Sequence, residues 1–172
     1  IVSNARTLEK VSFAEASELA YFGARVLHPK TILPAMKKNI PVKVLNSFNP
    51  KDEGTIIVNK PYKNSHAVKA IAYKKNITLI NIDSTRMLGA YGFLARVFDI
   101  FDDYKKSVDV VSTSEVSVSL TIDNEENVSH IIRELKDIAD VEMIKGKAII
   151  CIVGEGMRHT PGIAGKTFTA LG

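Results

Sequence analysis

The sequence predicts an α/β (α+β) chain of two parts, the second of them a ferredoxin-like βαββαβ domain. Three observations carry this reading. Strand-like and helix-like segments follow one another in the order βαββαβ from about residue 77 to 145. The chain resembles itself, without a gap, at an offset of 70 residues. Charge divides it as well: residues 1–75 hold 13 Lys+Arg against 5 Asp+Glu, and residues 76–172 hold 10 against 14. An opposite-sign split of this kind argues for two units facing different partners.

Ser12-Phe13-Ala14-Glu15 is a capping box, with Ser12 at the N-cap and Glu15 at N3. The helix it opens is expected to reach about Val26, with Ala16, Leu19, Ala20, Val26 and Leu27 at buried spacing and Pro29 ending it. A second helix is expected over Thr31–Lys38, then strands at Val42–Leu45 and Thr55–Val58 around the turn cluster Asn49–Gly54. Residues 59–67 are polar and read as a linker. Beyond it, strands are expected at Val68–Tyr73 and Ile77–Asp83, and a helix at Gly92–Lys105. Strands at Val108–Thr113 and Val116–Ile122, a helix at Asn127–Ile138, and strands at Val141–Lys145 and Ala148–Val153 complete the pattern.

At the 70-residue offset Met87 falls on Met157, Gly92 on Gly162, Arg96 on Lys166 and Phe98 on Phe168. Leu79, Ile80 and Ile82 fall on Ile149, Ile150 and Ile152. A shared strand–loop–glycine–helix unit explains these matches. The second copy reaches only its first helix by Gly172, and the chain begins at Ile1 rather than Met. Both features lead us to expect a piece of a longer protein, continuing for roughly 50 residues or more.

Composition excludes several classes. With 45% apolar residues the chain is not a solvated tail, and without a run of about 18 apolar residues no spanning helix is expected. One cysteine, Cys151, permits no internal disulfide, which points to a cytoplasmic protein. Cys151 lies in the apolar stretch Ile149–Val153 and reads as a core residue rather than a nucleophile. His28, His66, His130 and His159 lack metal spacing, so no metal site is expected. Neither a Walker loop nor G-x-G-x-x-G occurs. The basic N-terminal half could face phosphates, but strands 109–122 carry Val, Ser and Thr without an aromatic platform, which argues against nucleic acid.

The loop from Ser84 to Gly92 joins a strand to a helix start, where free N–H groups favour an anion such as a carboxylate. Asp109 opens the next strand, and Ser114-Glu115 sits at the break before the one after it. Together these describe a site for a free amino acid, with its carboxylate on the helix start and its ammonium and side-chain amine on Asp109 and Glu115. A helix-start glycine with solvated acids nearby is the plainer alternative.

The stretch Val11–Pro29, VSFAEASELAYFGARVLHP, resembles the end of the catalytic domain of aspartate kinases, whose pattern is close to FAEAxELAxFGAKVLHP. Pro34-Ala35, Ile40-Pro41-Val42 and Gly54-Thr55 fit the same family. Met87–Leu94 and Ser107–Val116 resemble its regulatory ACT domain, and Gly154–Leu171 the start of its second ACT domain. This resemblance implies residues 1–58 as the C-terminal segment of an amino-acid-kinase catalytic domain. It implies 59–75 as linker and lead-in strand, 76–147 as the first ACT domain, and 148–172 as the start of a second, truncated one.

The resemblance further implies a parent enzyme that moves the γ-phosphate of ATP, with Mg²⁺, onto the β-carboxylate of aspartate. Arg25 and Val26 match positions lining the ATP site. The Lys-x-Gly-Gly motif and the aspartate-binding residues have no counterpart here, so no catalytic residue and no kinase activity are expected of this chain alone. In lysine-sensitive members the positions matching Met87, Phe93, Leu94, Val108, Asp109, Ser114 and Glu115 form the inhibitor site, at an interface between paired ACT domains; Gly92 joins them as the glycine that lets a ligand approach the backbone closely. The acid at Asp109 favours L-lysine, whose ε-ammonium needs an anionic partner. A threonine-sensitive kinase fused to homoserine dehydrogenase, or a dimerisation module without ligand, are the alternatives. Self-association through ACT domains is expected; a nucleic acid or membrane partner is not.

Overall fold

The computed structural model describes residues 5–24, 27–60 and 67–172, which divide into two compact units. One comprises residues 1–73 together with 150–172, the other residues 74–149.

In the first unit, β1 (Lys10–Ser12) leads straight into α1 (Phe13–Tyr21); α2 (Pro29–Lys37), β2 (Val42–Val44) and β3 (Thr55–Val58) follow. The sheet order is β1-β3-β2, with β1 parallel to β3 and β2 antiparallel to it. Val11, Phe13, Ala16, Ile32 and Ile57 make its core. The capping box forms as read: Ser12 N–H donates to Glu15 Oε2 at 2.9 Å, and Glu15 N–H to Ser12 Oγ at 3.0 Å. The α1 helix ends at Tyr21, short of Val26. The reason is Gly23, whose φ of +114° leaves the helix, and a Cβ there would meet the Tyr73 carbonyl oxygen at 2.6 Å. Pro29 does not end α1; it is the first residue of α2, where its missing N–H costs nothing.

The Glu15 carboxylate does more than cap. Its side chain is 3% exposed, and Lys69, 9% exposed, donates to it at 2.8 Å. The backbone N–H of Glu155 donates to its other oxygen at 2.9 Å. Burial alone would raise this carboxyl's pKa, but the Lys69 ammonium and the N–H donors outweigh it and hold it below the usual value.

The second unit is built on a four-stranded sheet in the order β5-β6-β4-β7. Its strands are β4 (Ala70–Asp83), β5 (Val111–Thr113), β6 (Ser117–Ile122) and β7 (Asp140–Val153), with α3 (Phe93–Asp103) and α4 (Val128–Lys136) between them. This is the expected ferredoxin-like order. Both β4 and β5 pair antiparallel with β6. Val118, Leu120 and Ile122 alternate inward along β6 and meet Ile80 and Ile82 of β4. Val97 and Phe101 of α3 and Val128, Ile131 and Leu135 of α4 close the same core at helical spacing. The Tyr104 hydroxyl, just past α3, donates to the Glu134 carboxylate of α4, and its ring stacks on His130.

Two expected strand pairs are each one long strand. Asn76, at φ +58°, and Gly146, at φ +69°, kink β4 and β7 without ending them. Asn tolerates the left-handed region well enough for the ladder to continue. Both strands span 14 residues and are offset by 70, as are Asn76 and Gly146. Gly92 (φ 81°, ψ 2°) and Gly162 (φ 79°, ψ 2°) repeat at the same offset, each leading into a helix, α3 and α5 (Ile163–Leu171). The internal repeat is thus a repeat of structure. The expected strand Val108–Thr113 shortens to β5 because two of its residues face Thr121 alone: the Asp109 N–H donates to the Thr121 carbonyl at 2.8 Å, the Thr121 N–H to the Val110 carbonyl at 3.0 Å, and the Val110 N–H turns to the Thr121 hydroxyl at 3.1 Å.

Candidate functional site: a groove at the start of α3

Ser84 ends β4 and its side chain accepts from the Arg86 N–H at 3.3 Å, starting a tight turn over Thr85–Met87. The Ala90 N–H bonds back to the Met87 carbonyl at 3.1 Å. Gly92 then turns the chain into α3 with a positive φ that favours glycine; a Cβ there would touch nothing, so backbone conformation rather than space sets the residue. The opposing wall is the turn between β5 and β6. Its Ser114 hydroxyl accepts from the Val116 and Ser117 N–H groups at 3.3 and 3.1 Å. The Ser84 N–H donates to the Val116 carbonyl at 2.9 Å, tying the two loops together.

Between them lies a groove of about 520 Å³, a size ordinary for small-molecule sites. Met87, Gly92, Phe93, Leu94, Ser114 and Glu115 line it, so six of the eight expected residues meet. The first N–H groups of α3 open along the same loop, and Glu115 supplies a carboxylate to the rim. Leu88, Gly89, Ala90, Tyr91 and Ala95 also line the groove. They lie within or beside the loop already singled out, and continuity of the chain was the signal available for them.

Val108 and Asp109 are not part of this groove. Asp109 lies five residues before Ser114, about 16 Å along an extended chain. Its side chain is 6% exposed and accepts from Lys74 Nζ at 2.9 Å; Lys74 also reaches Asp123 Oδ2 at 2.7 Å. Burial alone would lower the Lys74 ammonium's pKa, but the hydrogen bonds to Asp123 and Asp109 outweigh it and raise it. The expectation that Asp109 and Glu115 close on one ligand is therefore not met within a single copy of the chain: the irregular backbone before β5 holds them at opposite ends of the strand. Nothing in the spacing of Lys74 and Asp123 marks them in the sequence.

Arg25 and Val26 lie outside the described residues. Burial, and then the charge of Glu18, push the Cys151 thiol's pKa up, which suits a packing residue better than a nucleophile. Among the described residues, no group of three His, Cys, Asp or Glu could hold a metal ion. No helix among them is long and apolar enough to cross a membrane.

A ferredoxin-like unit carrying a loop-and-helix groove, joined to a small mixed sheet with flanking helices, defines an ACT-type regulatory domain attached to a piece of an amino-acid-kinase fold. A family model described as the amino acid kinase family matches residues 1–46. Aspartokinase 1, chloroplastic, of Arabidopsis thaliana is 44% identical over 99% of this chain and 32% of its own length. Lysine-sensitive aspartokinase 3 of Escherichia coli is 38% identical over 99% of this chain and 40% of its own length. The crystal structure of Clostridium acetobutylicum aspartate kinase superposes with a TM-score of 0.91 at 36% identity, over 99% of this chain and 41% of that one. E. coli aspartokinase III, at 38% identity, superposes with a TM-score of 0.86 in its complex with aspartate and ADP, over 99% of this chain and 40% of that one. In its complex with lysine and aspartate the TM-score is 0.79, over 92% and 39%. A Porphyromonas gingivalis structure described as a C-terminal regulatory domain of aspartate kinase is 43% identical, with a TM-score of 0.52, over 62% of this chain and 72% of that one. The chain belongs to the aspartate kinase family. It spans about a third to two-fifths of the length of these curated relatives.

Proposed function

We propose that this chain is the regulatory part of an aspartate kinase and that the groove at the start of α3 takes an end-product amino acid, L-lysine. The observation that carries this is the meeting of Met87, Gly92, Phe93, Leu94, Ser114 and Glu115 around one groove. A lysine complex of E. coli aspartokinase III and a lysine-sensitive relative support it. In this reading the effector's carboxylate meets the α3 N–H groups and one ammonium meets Glu115. Val108 and Asp109 come from a second copy paired through this domain. Lysine then acts by preferring one arrangement of the pair over another.

The parent enzyme phosphorylates L-aspartate to 4-phospho-L-aspartate with ATP and Mg²⁺, in the cytoplasm or, as its plant relatives' names indicate for them, in the chloroplast. Residues 1–58 are the end of its catalytic domain, with Arg25 and Val26 beside ATP. Residues 59–75 are linker and lead-in strand, 76–147 the first ACT domain and 148–172 the start of the second. Phosphoryl transfer in such an enzyme depends on positioning and on neutralisation of the phosphate charge.

Titration calorimetry of the chain with L-lysine and L-threonine tests the reading. Heat with lysine and none with threonine is expected. Binding of threonine alone would transfer the site to the threonine-sensitive type, and binding of neither would leave a dimerisation module. Glu115→Gln is expected to weaken lysine by about 10–100-fold, the worth of one hydrogen bond to a charged group.

A further inference from the structure

We propose that a cavity beside the start of α3, lined by Arg86 and Arg96, binds a phosphate group, at a site separate from the effector groove. The cavity measures about 190 Å³ and is lined by Arg86, Ala90, Tyr91, Phe93, Arg96 and Ile138. It shares Ala90, Tyr91 and Phe93 with the groove, whereas both arginines and Ile138 line the cavity and not the groove. The proposal does not depend on what the groove binds.

First, the two charges are unanswered. Among the described residues, neither guanidinium has a hydrogen bond or an ion pair. Arg86 also borders a pocket with Asp83, Asp137 and Asp140, and none of these acids pairs with it. The arginines are the only charged residues among those lining the cavity. Two like charges on one small cavity repel, and an anion placed in it relieves that repulsion.

Second, both arginines stand on ordered backbone beside an apolar wall. The Arg86 N–H donates to Ser84 Oγ at 3.3 Å, and the Arg96 N–H to the Gly92 carbonyl at 3.1 Å in the first turn of α3. Phe93 and Ile138 pack against the core of the unit. Both arginines are exposed, so an anion reaches them from solvent.

Third, the chemistry selects among anions. A guanidinium fork donates two parallel N–H bonds, and two forks ask for more oxygens than one carboxylate carries. A phosphate offers enough. The volume falls below the roughly 300 Å³ at which sites for drug-sized ligands begin, so it suits a free phosphate or the terminal phosphate of a larger ligand.

Fourth, the fold does not demand the pair. At the 70-residue offset Gly156 stands for Arg86 and Lys166 for Arg96, and a tight turn and a helix start form there as well.

The test titrates the ¹⁵N-labelled 172-residue chain with sodium phosphate, with sodium chloride holding the ionic strength constant. Saturable shifts at the Arg86, Tyr91, Phe93 and Arg96 amides are expected. Arg86→Gln and Arg96→Gln should each weaken binding about tenfold or more, the worth of a charge-assisted hydrogen bond. Lys105→Gln, which removes an exposed charge just past the other end of α3, should leave it unchanged. A parallel titration with ADP separates the two sources: tighter binding than phosphate at the same amides assigns the site to the end of a nucleotide, and equal or weaker binding assigns it to the free ion. No saturation by either probe would overturn the proposal, as would equal binding by the arginine variants. Equal weakening by Lys105→Gln would overturn it too, since that is the mark of diffuse charge. If one arginine variant fails to fold, the other decides by the same criterion; if both fail, Arg86→Lys, which keeps the charge and loses the fork, must bind phosphate more weakly, and unchanged binding would overturn the proposal.

Discussion

Replacing Glu15 with alanine is expected to destabilise the first unit by about 3–5 kcal/mol, the cost of breaking a buried ion pair from one side. The substitution leaves the Lys69 ammonium, which is 9% exposed, with the Lys10 carbonyl at 3.5 Å in place of a carboxylate, and removes the acceptor of the Ser12 and Glu155 N–H groups. The Ser12 hydroxyl keeps its bond from the residue-15 N–H, so the helix start survives and the loss falls on the carboxylate's own contacts. Glu15→Gln keeps an acceptor oxygen but not the charge, and a smaller loss of about 1–3 kcal/mol is expected. Urea denaturation at pH 7, followed by circular dichroism, measures both. The folded state lowers this carboxyl below its ordinary value of 4.5. Its contribution is therefore fully present above the unfolded value and is lost as pH falls through 4.5 and on through the lowered folded value. In Glu15→Gln this part of the acid-side loss of stability should vanish.

Phe101→Ala is expected to cost the second unit about 3–5 kcal/mol. Phe101 is 2% exposed and sits in α3 within the core that Val97, Ile131, Leu135 and the inward residues of β4 and β6 share. Its removal leaves a cavity that a sheet held between Val118, Leu120 and Ile122 cannot close by small shifts. Since α3 also carries Phe93, Leu94 and Ala95 into the groove, weaker lysine binding should accompany the loss of stability. Ile150→Ala, at a half-exposed residue outside that core, is the comparison and should cost less than 1 kcal/mol. The midpoint of the urea transition separates the two.

Much of this architecture was legible because local chemistry decided it. Ser12 and Glu15 face each other in any helix start, so the capping box could be read from spacing alone. The β6 alternation could be read for the same reason. The 70-residue repeat needed no structural knowledge, and it carries through to the kinks at Asn76 and Gly146. What failed was punctuation by single residues. Lys74-Lys75-Asn76 reads as a break, yet Asn76 turns left-handed within an unbroken strand. Pro29 reads as a stop and is a start. The loop that lines the groove was legible because its residues are contiguous. The separation of Asp109 from Glu115 was not, because it depends on how five residues are strung along a sheet edge. Nor was the Lys74–Asp109 pair, which joins residues 35 apart in sequence.

The most direct measurement is chemical-shift mapping of the ¹⁵N-labelled chain titrated with L-lysine. The largest changes are expected at Gly89, Gly92, Phe93, Leu94, Ser114 and Glu115, with a second set at Val108 and Asp109 where a paired copy contributes. Changes confined to other surfaces, or none at millimolar lysine, would contradict a lysine site in this groove.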